Sequence, residues 1–171
     1  MFIDKIVLVK KLFIYFCLFG GLISSIQAQF YDHAIGMRAG NTIGLSYKKF
    51  IFYYPDIQQA AELVAGFQFD LKNRNRNAYI LEANYHLHID VGFNTGFSAF
   101  AGAGLFGGFY TEVGQPSRFG GGISGFVGME YSFTHAPVNV AIDWKPFLGI
   151  PRSSLLGFGL TLRYIFPTTW Q

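Results

Sequence analysis

The sequence predicts an all-β fold, an eight-stranded antiparallel up-and-down barrel whose strands cross a membrane. Large apolar residues alternate with small or polar residues along most of the chain, and a period of two places these sets on opposite faces of a strand. The composition is 51% hydrophobic and 19% aromatic but only 13% charged, with 21 glycines, whereas soluble domains average about 25% charged residues. Short turn-forming stretches separate the alternating segments.

Residues 1–28 are predicted to be a cleavable signal peptide, and residues 29–171 a single barrel domain. Lysines precede an apolar stretch, and Ala28 ends a cleavage region of small and polar residues. A transmembrane helix is the alternative, but the lysines shorten the apolar run below the ~18 residues that a span needs. Cys17 lies inside that run, so the mature chain would contain neither a disulfide nor a thiol nucleophile.

The first two strands are predicted at 33–40 and 42–52. Gly40 and Asn41 separate them, and both residue types tolerate the positive φ of a tight turn. Apolar residues occupy one face of the second strand, with Lys49 as the exception near its end.

The third and fourth strands are predicted at 60–70 and 78–89, where leucine, tyrosine and phenylalanine alternate with polar residues. Residues 57–64 also have the propensity of a short helix, which is the alternative there. A polar, basic loop at 71–77 connects the two strands.

The fifth and sixth strands are predicted at 97–110 and 123–133. The fifth is rich in glycine, which weakens a flat strand but relieves crowding in a tightly curved barrel. The connection at 111–121 is predicted to be the longest loop.

The seventh strand is predicted at 138–145, because Pro146 cannot donate a ladder hydrogen bond and marks a rim or a bulge. A loop at 146–154 follows. The last strand, 155–166, has the clearest alternation, with large apolar residues on one face and mostly small residues around Arg163 on the other. We expect it to pair with strands seven and one and so close the barrel.

Charged residues recur on the face opposite the apolar one. The interior of an eight-stranded barrel is only wide enough for its own side chains, and buried charges are expected to pair. The predicted interior charges are Arg38, Lys48, Lys145, Arg163, Glu62, Glu82, Glu130 and Asp143. We interpret this set as a plug that excludes solutes; a proton or ion path is the alternative. Arg163 is expected to meet Glu130, Asp143 or Glu62.

Aromatic residues are frequent on the opposite, outward face, several of them near strand ends, where aromatic girdles meet lipid headgroups. The predicted lipid-facing aromatics are Tyr47, Tyr79, Tyr85, Tyr131, Phe133, Trp144, Phe158, Tyr164 and Phe166.

Four stretches carry a resemblance to a known family. They are Tyr31–Arg38, Gly44–Phe50, Gly128–Phe133 and Asp143–Pro146, and the chain closes on Arg163-Tyr164-Ile165-Phe166. Over residues 30–167 the chain resembles the small outer-membrane β-barrel proteins of Gram-negative bacteria, of the OmpA/OmpX-like barrel type. The resemblance implies an outer-membrane location, contact with membrane lipid and lipopolysaccharide, and a C-terminal signal, matched by Tyr164 and Phe166, that the insertion machinery reads.

For an outer-membrane barrel, the strand order predicts which connections face the periplasm and which face outside the cell. With the mature N-terminus in the periplasm, the turns 53–59, 90–96 and 134–137 face the periplasm, and the loops 71–77, 111–121 and 146–154 face outside. Lys72, Arg74 and Arg76 could then contact lipopolysaccharide phosphates, although an ordinary solvated loop is the simpler interpretation.

Few residues in the sequence indicate metal binding, catalysis or phosphate binding. His86 and His88 share a strand face with Glu82 and could bind a metal, but interior polar packing is favoured. Some outer-membrane barrels are acyltransferases, yet these histidines fall at the periplasmic end, so no enzyme is expected. The glycine pairs lack a following helix and a P-loop lysine, which argues against a phosphate site. No cofactor, metal or nucleic-acid partner is predicted.

The sequence therefore predicts an integral outer-membrane barrel with a structural or surface-interaction role. A narrow channel for small solutes or ions is the alternative, and a soluble ligand carrier of the lipocalin type is a third possibility. The charge set discriminates between the first two, because paired charges close an interior and charges of one sign favour conduction.

Overall fold

The computed structural model describes residues 32–53, 57–69, 76–91 and 96–166. The predicted signal peptide, most of the basic loop 71–77 and the last five residues lie outside this range. The described residues form nine strand segments: β1 His33–Gly40, β2 Thr42–Tyr53, β3 Ile57–Phe69, β4 Arg76–Asp90, β5 Phe97–Glu112, β6 Arg118–Ser132, β7 Val138–Trp144, β8 Phe147–Ile150 and β9 Phe158–Phe166.

The strands form a closed antiparallel barrel. From β1 to β7 each strand pairs with the next, and β9 pairs with both β7 and β1. The closing register runs from His33 opposite Phe166 to Gly40 opposite Gly159. Because β8 continues β7 along β6, the nine segments make an eight-stranded barrel, which confirms the predicted architecture. In the part of the chain that the structure describes, no helix is long and apolar enough to cross a membrane.

The two faces of each strand differ in burial and in residue type, as the alternation in the sequence predicts. Along β9, Gly159, Thr161, Arg163 and Ile165 are buried while the alternating apolar residues are exposed. The same alternation extends along β4 from Ala78 to His88. The barrel thus packs polar and small groups inside and presents apolar groups outside, the reverse of a barrel that is stable in water.

The seventh barrel strand is longer than predicted, and the loop assigned to 146–154 is wrong over its first half. Pro146 lacks an N–H and interrupts the ladder, but its carbonyl oxygen accepts a hydrogen bond from Gly125 N at 3.2 Å. Pairing then resumes, with Phe147 opposite Ser124 and Ile150 opposite Gly121. The missing N–H of one proline removes one ladder hydrogen bond, and the chain stays beside the neighbouring strand.

The loop predicted at 111–121 is also shorter, because β5 extends to Glu112 and β6 begins at Arg118. Gly120 and Gly121, predicted as residues of this loop, are strand residues, whereas Gly114 lies in the turn. A Cβ on Gly122 would lie 2.5 Å from the Cα of Gly149 on the facing segment, so glycine permits the close approach of β6 and β8.

Two further boundaries differ from prediction. β3 begins at Ile57, which rules out the short helix considered for 57–64. β9 begins at Phe158, and the carbonyl oxygen of Leu155 instead accepts a hydrogen bond from Trp144 Nε1 at 2.9 Å. Residues 54–56 and 92–95, within the predicted periplasmic turns, lie outside the described residues.

Apolar groups border the polar interior toward both ends. Near the start of β1 and the end of β9, Ala34, Phe50, Ala60 and Ile165 form a buried cluster. At the opposite end, which we call the mouth, β5 ends and β6 begins. Toward that end the rings of Phe106 and Phe147 pack edge to face, with centroids 5.5 Å apart. The charged side chains lie between these layers.

Candidate functional site

All eight predicted interior charges lie inside the barrel. Seven of them are at most 7% exposed, and the side chain of Lys145 is 11% exposed. They come from β1, β2, β3, β4, β6, β7 and β9 and from the residue after β7. Because these side chains face inward from different strands, closure of the barrel brings them together in its interior.

Arg38 and Asp143 form a two-pronged ion pair between β1 and β7. Nη1 and Nη2 of Arg38 donate to the two carboxylate oxygens at 2.7 and 2.6 Å. Nη1 also lies 3.3 Å from Thr161 Oγ1 on β9, the strand between them. Gly159 makes room for this guanidinium, since a Cβ there would lie 2.9 Å from Nη1 and closer still to Cζ.

Lys145 reaches across the barrel from the end of β7 to β4. Its Nζ forms an ion pair with Glu82 and donates to Asn84 Oδ1 at 2.9 Å. Glu82 also accepts a hydrogen bond from Thr42 Oγ1 at 3.0 Å. The ammonium lies 5.4 Å from the centroid of the Phe126 ring, so an aromatic face covers part of its surface.

Glu62 is the best-connected carboxylate. It pairs with Arg163 and accepts hydrogen bonds from Ser46 Oγ at 2.6 Å and Asn84 Nδ2 at 3.3 Å. His86 Nε2 lies 3.1 Å from its second oxygen. Arg163 thus lies in the interior and meets two of the three carboxylates named for it, Glu62 and Glu130. Its Nε donates in addition to Ser46 Oγ at 3.0 Å.

Lys48 and Glu130 form a further buried pair. Lys48 Nζ lies 2.5 Å from Glu130 Oε2, with the two side chains 0% and 3% exposed. Arg163 Nη1 is 3.5 Å from the same carboxylate oxygen, so this pair joins the Glu62 cluster. The Lys48 ammonium also lies 5.0 Å from the centroid of the Phe50 ring.

The eight charges are electrically balanced, and six of them form one connected network beside the Arg38–Asp143 pair. Arg163 joins Glu130 to Glu62, and Asn84 joins Glu62 to the Lys145 cluster. Cavities beside the network have volumes of about 20 Å³ and about 0 Å³, which is room for one water at most. The arrangement fills its space with matched charges.

The two histidines belong to this packing. The rings of His86 and His88 stack with centroids 5.7 Å apart. Glu82, the carboxylate considered with them as a metal ligand, bonds Lys145 and Thr42 instead. Among the described residues, no group of three His, Cys, Asp or Glu side chains is placed to hold a metal ion.

Sequence reasoning missed the neutral partners of the charges. Ser46, Thr42, Asn84, Asn139 and Thr161 all bond charged groups. Each lies on the inward parity of its strand, which is the signal that could have identified them. Their pairing depends on registers between strands that local alternation does not reveal.

The predicted outward aromatics all lie on the outer side. Eight of them are more than a third exposed and Tyr131 is half-buried. Tyr131 packs between the rings of Phe97 and Phe133, with centroids 4.5 and 4.8 Å away. Of the basic run, Lys72 and Arg74 lie outside the described residues, and Arg76 begins β4.

A solved structure shares the backbone fold. The crystal structure of Ail, the attachment invasion locus protein of Yersinia pestis, superposes with a TM-score of 0.51. The chain has the barrel fold of Ail. The match covers 78% of this chain and 96% of Ail, at 12% sequence identity. At that identity Ail defines the fold alone. No protein-family model matches the chain, and no curated protein matches it.

Proposed function

We propose that the chain is an integral outer-membrane protein of a Gram-negative bacterium, with a structural or surface-interaction role and an interior closed by paired charges. The observation that carries this proposal is the combination of a closed barrel with an apolar exterior and a filled, charge-balanced interior. An apolar exterior requires an apolar solvent, and closure leaves no unpaired strand edge.

The outer face supports the membrane location. A tilted strand crosses a bilayer with about 9–11 residues, and β2 to β6 have 12 to 16 residues while β9 has 9. Outward residues along these strands are predominantly apolar, including Leu81, Leu105 and Leu160, all more than half exposed. In lipid these groups need no protein partner.

The proposed orientation places the mouth outside the cell. The predicted signal peptide would export the chain, Tyr164 and Phe166 would serve the insertion machinery, and lipid and lipopolysaccharide would surround the barrel. Ail is named for attachment and invasion; for this chain we propose only that the mouth is the surface available for contact. A fold by itself does not determine an activity, and we propose no enzymatic one.

Two experiments test the proposal. Expressed with its leader, the protein should pellet with outer membranes; recovery in the soluble periplasmic fraction would favour the carrier alternative. In planar bilayers the purified barrel should show no reproducible ohmic steps, because the cavities beside the charge network have room for one water at most. Stable conductance would replace the closed barrel with the narrow-channel alternative.

A further inference from the structure

A groove crosses the outer wall of the barrel, on the face that is turned toward lipid in the proposed membrane location. It has a volume of about 830 Å³ and lies over β3, β4, β5, β6 and β8. Leu63, Leu105 and Ile123 line it and stand out from the wall, since each is more than half exposed. Its floor consists of small residues, which are Ala61, Ala83, Ala103 and Gly125. We call it the wall groove.

The wall groove runs obliquely toward the mouth. A row of paired residues crosses it, from Ala61 through Tyr85 and Ala103 to Gly125. Ala61 is near the start of β3, at the end opposite the mouth, whereas Gly125 is in the middle of β6. Because strands tilt in a barrel, such a row changes depth as it crosses them. The lower end of the groove is therefore near the rim, and its upper end is near the middle of the wall.

The chain after β7 bounds the upper end of the groove. Pro146, Leu148 and Leu155 line it there, and the carbonyl oxygen of Pro146 accepts a hydrogen bond from Gly125 N at 3.2 Å. Trp144 Nε1 donates to the carbonyl oxygen of Leu155 at 2.9 Å, which holds that segment against the outer wall. The upper end of the groove is thus apolar and fixed to the strands beneath it.

A cation lies beside the lower end of the groove. Lys49 on β2 is the direct partner of Ala61 and is exposed on the outer face. At the outward positions of the described strands, no other Lys, Arg, Asp or Glu occurs. A lysine on the lipid face is costly at the middle of the bilayer and nearly free of cost at the interface. Lys49 therefore belongs at the depth of the lipid headgroups.

Polar groups on the groove side of Lys49 indicate the same depth. The Tyr85 ring lines the groove, and its hydroxyl donates to Gln59 Oε1 at 2.5 Å, toward the end opposite the mouth. A tyrosine with its ring among apolar groups and its hydroxyl on a polar partner is typical of the membrane interface. The groove thus begins at the interface and continues into the apolar part of the wall.

Aromatic rings border Lys49 on its other side. His33 pairs directly with Lys49, and its ring lies between those of Tyr47 and Phe166, with centroids 6.4 and 5.2 Å away. His33 Nδ1 is 3.8 Å from a carboxylate oxygen of Asp32, so the imidazole already has an acidic neighbour. Lys49 is therefore the group of this surface that suits an external anion.

The groove and the lysine together match the dimensions of a membrane lipid. Neighbouring strands are about 4.8 Å apart, so four spacings place Gly125 about 19 Å from Lys49 along the row. At the usual strand tilt of about 40° the row rises by about 12 Å. This is close to half of the ~30 Å hydrocarbon core. An acyl chain attached to a headgroup at Lys49 would therefore follow the groove to the middle of the bilayer.

We propose that the wall groove binds an anionic glycerophospholipid of the periplasmic leaflet. Lys49 Nζ donates to the phosphate, and one acyl chain lies on the floor from Ala61 to Gly125. The described outward face has no carboxylate to pair with the ammonium of a zwitterionic headgroup, so a net negative headgroup is favoured. This inference rests on the proposed membrane location and adds a specific lipid class to it.

The test is native mass spectrometry of the purified full-length barrel, released from micelles that contain phosphatidylglycerol and phosphatidylethanolamine with identical acyl chains. Phosphatidylglycerol should remain bound about fivefold more often, because one lysine near a membrane surface contributes roughly that factor for an anionic lipid. Glycerol 3-phosphate, which has the phosphate without the chains, should not displace it. Equal retention of the two lipids, or displacement by glycerol 3-phosphate, would overturn the proposal.

Variants of the lysine test the headgroup contact. Lys49→Gln removes the charge and should reduce the retention of phosphatidylglycerol to that of phosphatidylethanolamine. Lys49→Arg is the matched control, because it keeps the charge and should keep the preference. An unchanged preference in Lys49→Gln would place headgroup recognition elsewhere and contradict the assignment.

A variant of the floor tests the acyl-chain contact. Ala103→Phe fills the groove and should lower the retention of both lipids by about threefold or more, since it removes apolar contact area. Ala39→Phe is the matched control, because Ala39 is exposed on β1 and does not line the groove. Both variants should retain the heat-modifiable gel mobility of a folded barrel. Equal lipid retention by the two would show that the groove is not the site.

The outcome for the lipid is separable from the outcome for the membrane location. A barrel that pellets with outer membranes but shows no lipid preference would reject the wall-groove site alone. Recovery of the protein in the soluble periplasmic fraction would reject the proposed function, and the lipid site with it.

Discussion

Inward residues line both the middle of the barrel and its mouth, yet the two regions are packed differently. In the middle, Lys48, Glu130, Arg163 and Glu62 find partners and leave almost no space. At the mouth, Gln68 on the same strand as Glu62 retains an unpartnered oxygen beside a cavity of about 280 Å³. Both regions are polar, but the charges of the first are paired and closely packed, although His86 Nδ1 and His88 Nε2 beside them have no partner among the described residues.

The difference shows that inward polar residues occur in two kinds of surroundings. A charge buried in the middle must be neutralised within the protein, because water does not reach it. A polar group near the mouth borders a cavity instead of a charged partner. Inward polarity therefore gives dense packing in the middle of the barrel and a cavity at its mouth.

The largest effect is expected from breaking a pair in the middle. Lys48→Met leaves Glu130 buried without its closest cation and should lower the free energy of unfolding by about 3–5 kcal/mol. Urea unfolding of the barrel in detergent micelles, followed by the heat-modifiable gel shift, measures it.

The neighbouring lysine is the matched control for that change. Lys49 lies on the exposed outer face, so Lys49→Met should change the free energy of unfolding by no more than about 0.5 kcal/mol. Similar losses for the two variants would contradict the idea that pairing in the middle stabilises the barrel.

A smaller loss is expected from crowding the network. Gly159→Val places a side chain where the Arg38 guanidinium lies and should cost about 1–3 kcal/mol in the free energy of unfolding. The same measurement on Gly125→Val is the control, because a Cβ there is outward and meets its nearest atom at 4.0 Å. Equal stability of the two variants would show that Arg38 can leave Asp143 without loss.

The smallest effect is expected at the mouth. Gln68→Met removes a buried amide whose oxygen has no partner among the described residues, so the free energy of unfolding should stay within about 1 kcal/mol of the wild type. Thermal unfolding in micelles measures this change. A loss as large as that of Lys48→Met would mean that Gln68 is a structural residue and that the mouth does not differ from the middle.

Much of the interior charge set could be predicted from the alternation of residue types alone. Arg38 and Asp143 lie on inward positions of strands far apart in the chain, and so do Lys48 and Glu130. Which charge meets which could not be read in this way. Three carboxylates were equally plausible for Arg163, and the interlocking registers place Glu62 and then Glu130 within its reach.

Segment ends were the least predictable part of the fold. The missing donor of Pro146 suggested a loop, but β8 continues the ladder beyond it. The glycines at 120–122 suggested a loop as well, and they are strand residues where β6 and β8 approach closely. In both cases a local preference gave way to pairing with a neighbour that is distant in sequence.

Alternation of residue types with a period of two depends only on neighbouring residues. It was therefore sufficient to predict the strand count, the two faces of each strand and the identity of the inward charges. The tertiary structure decided the ion pairs, the continuation of the seventh strand and the cavity at the mouth. Each of these depends on the register between strands and on closure of the ring, which brings Gly40 opposite Gly159. Such contacts join residues that no local pattern relates.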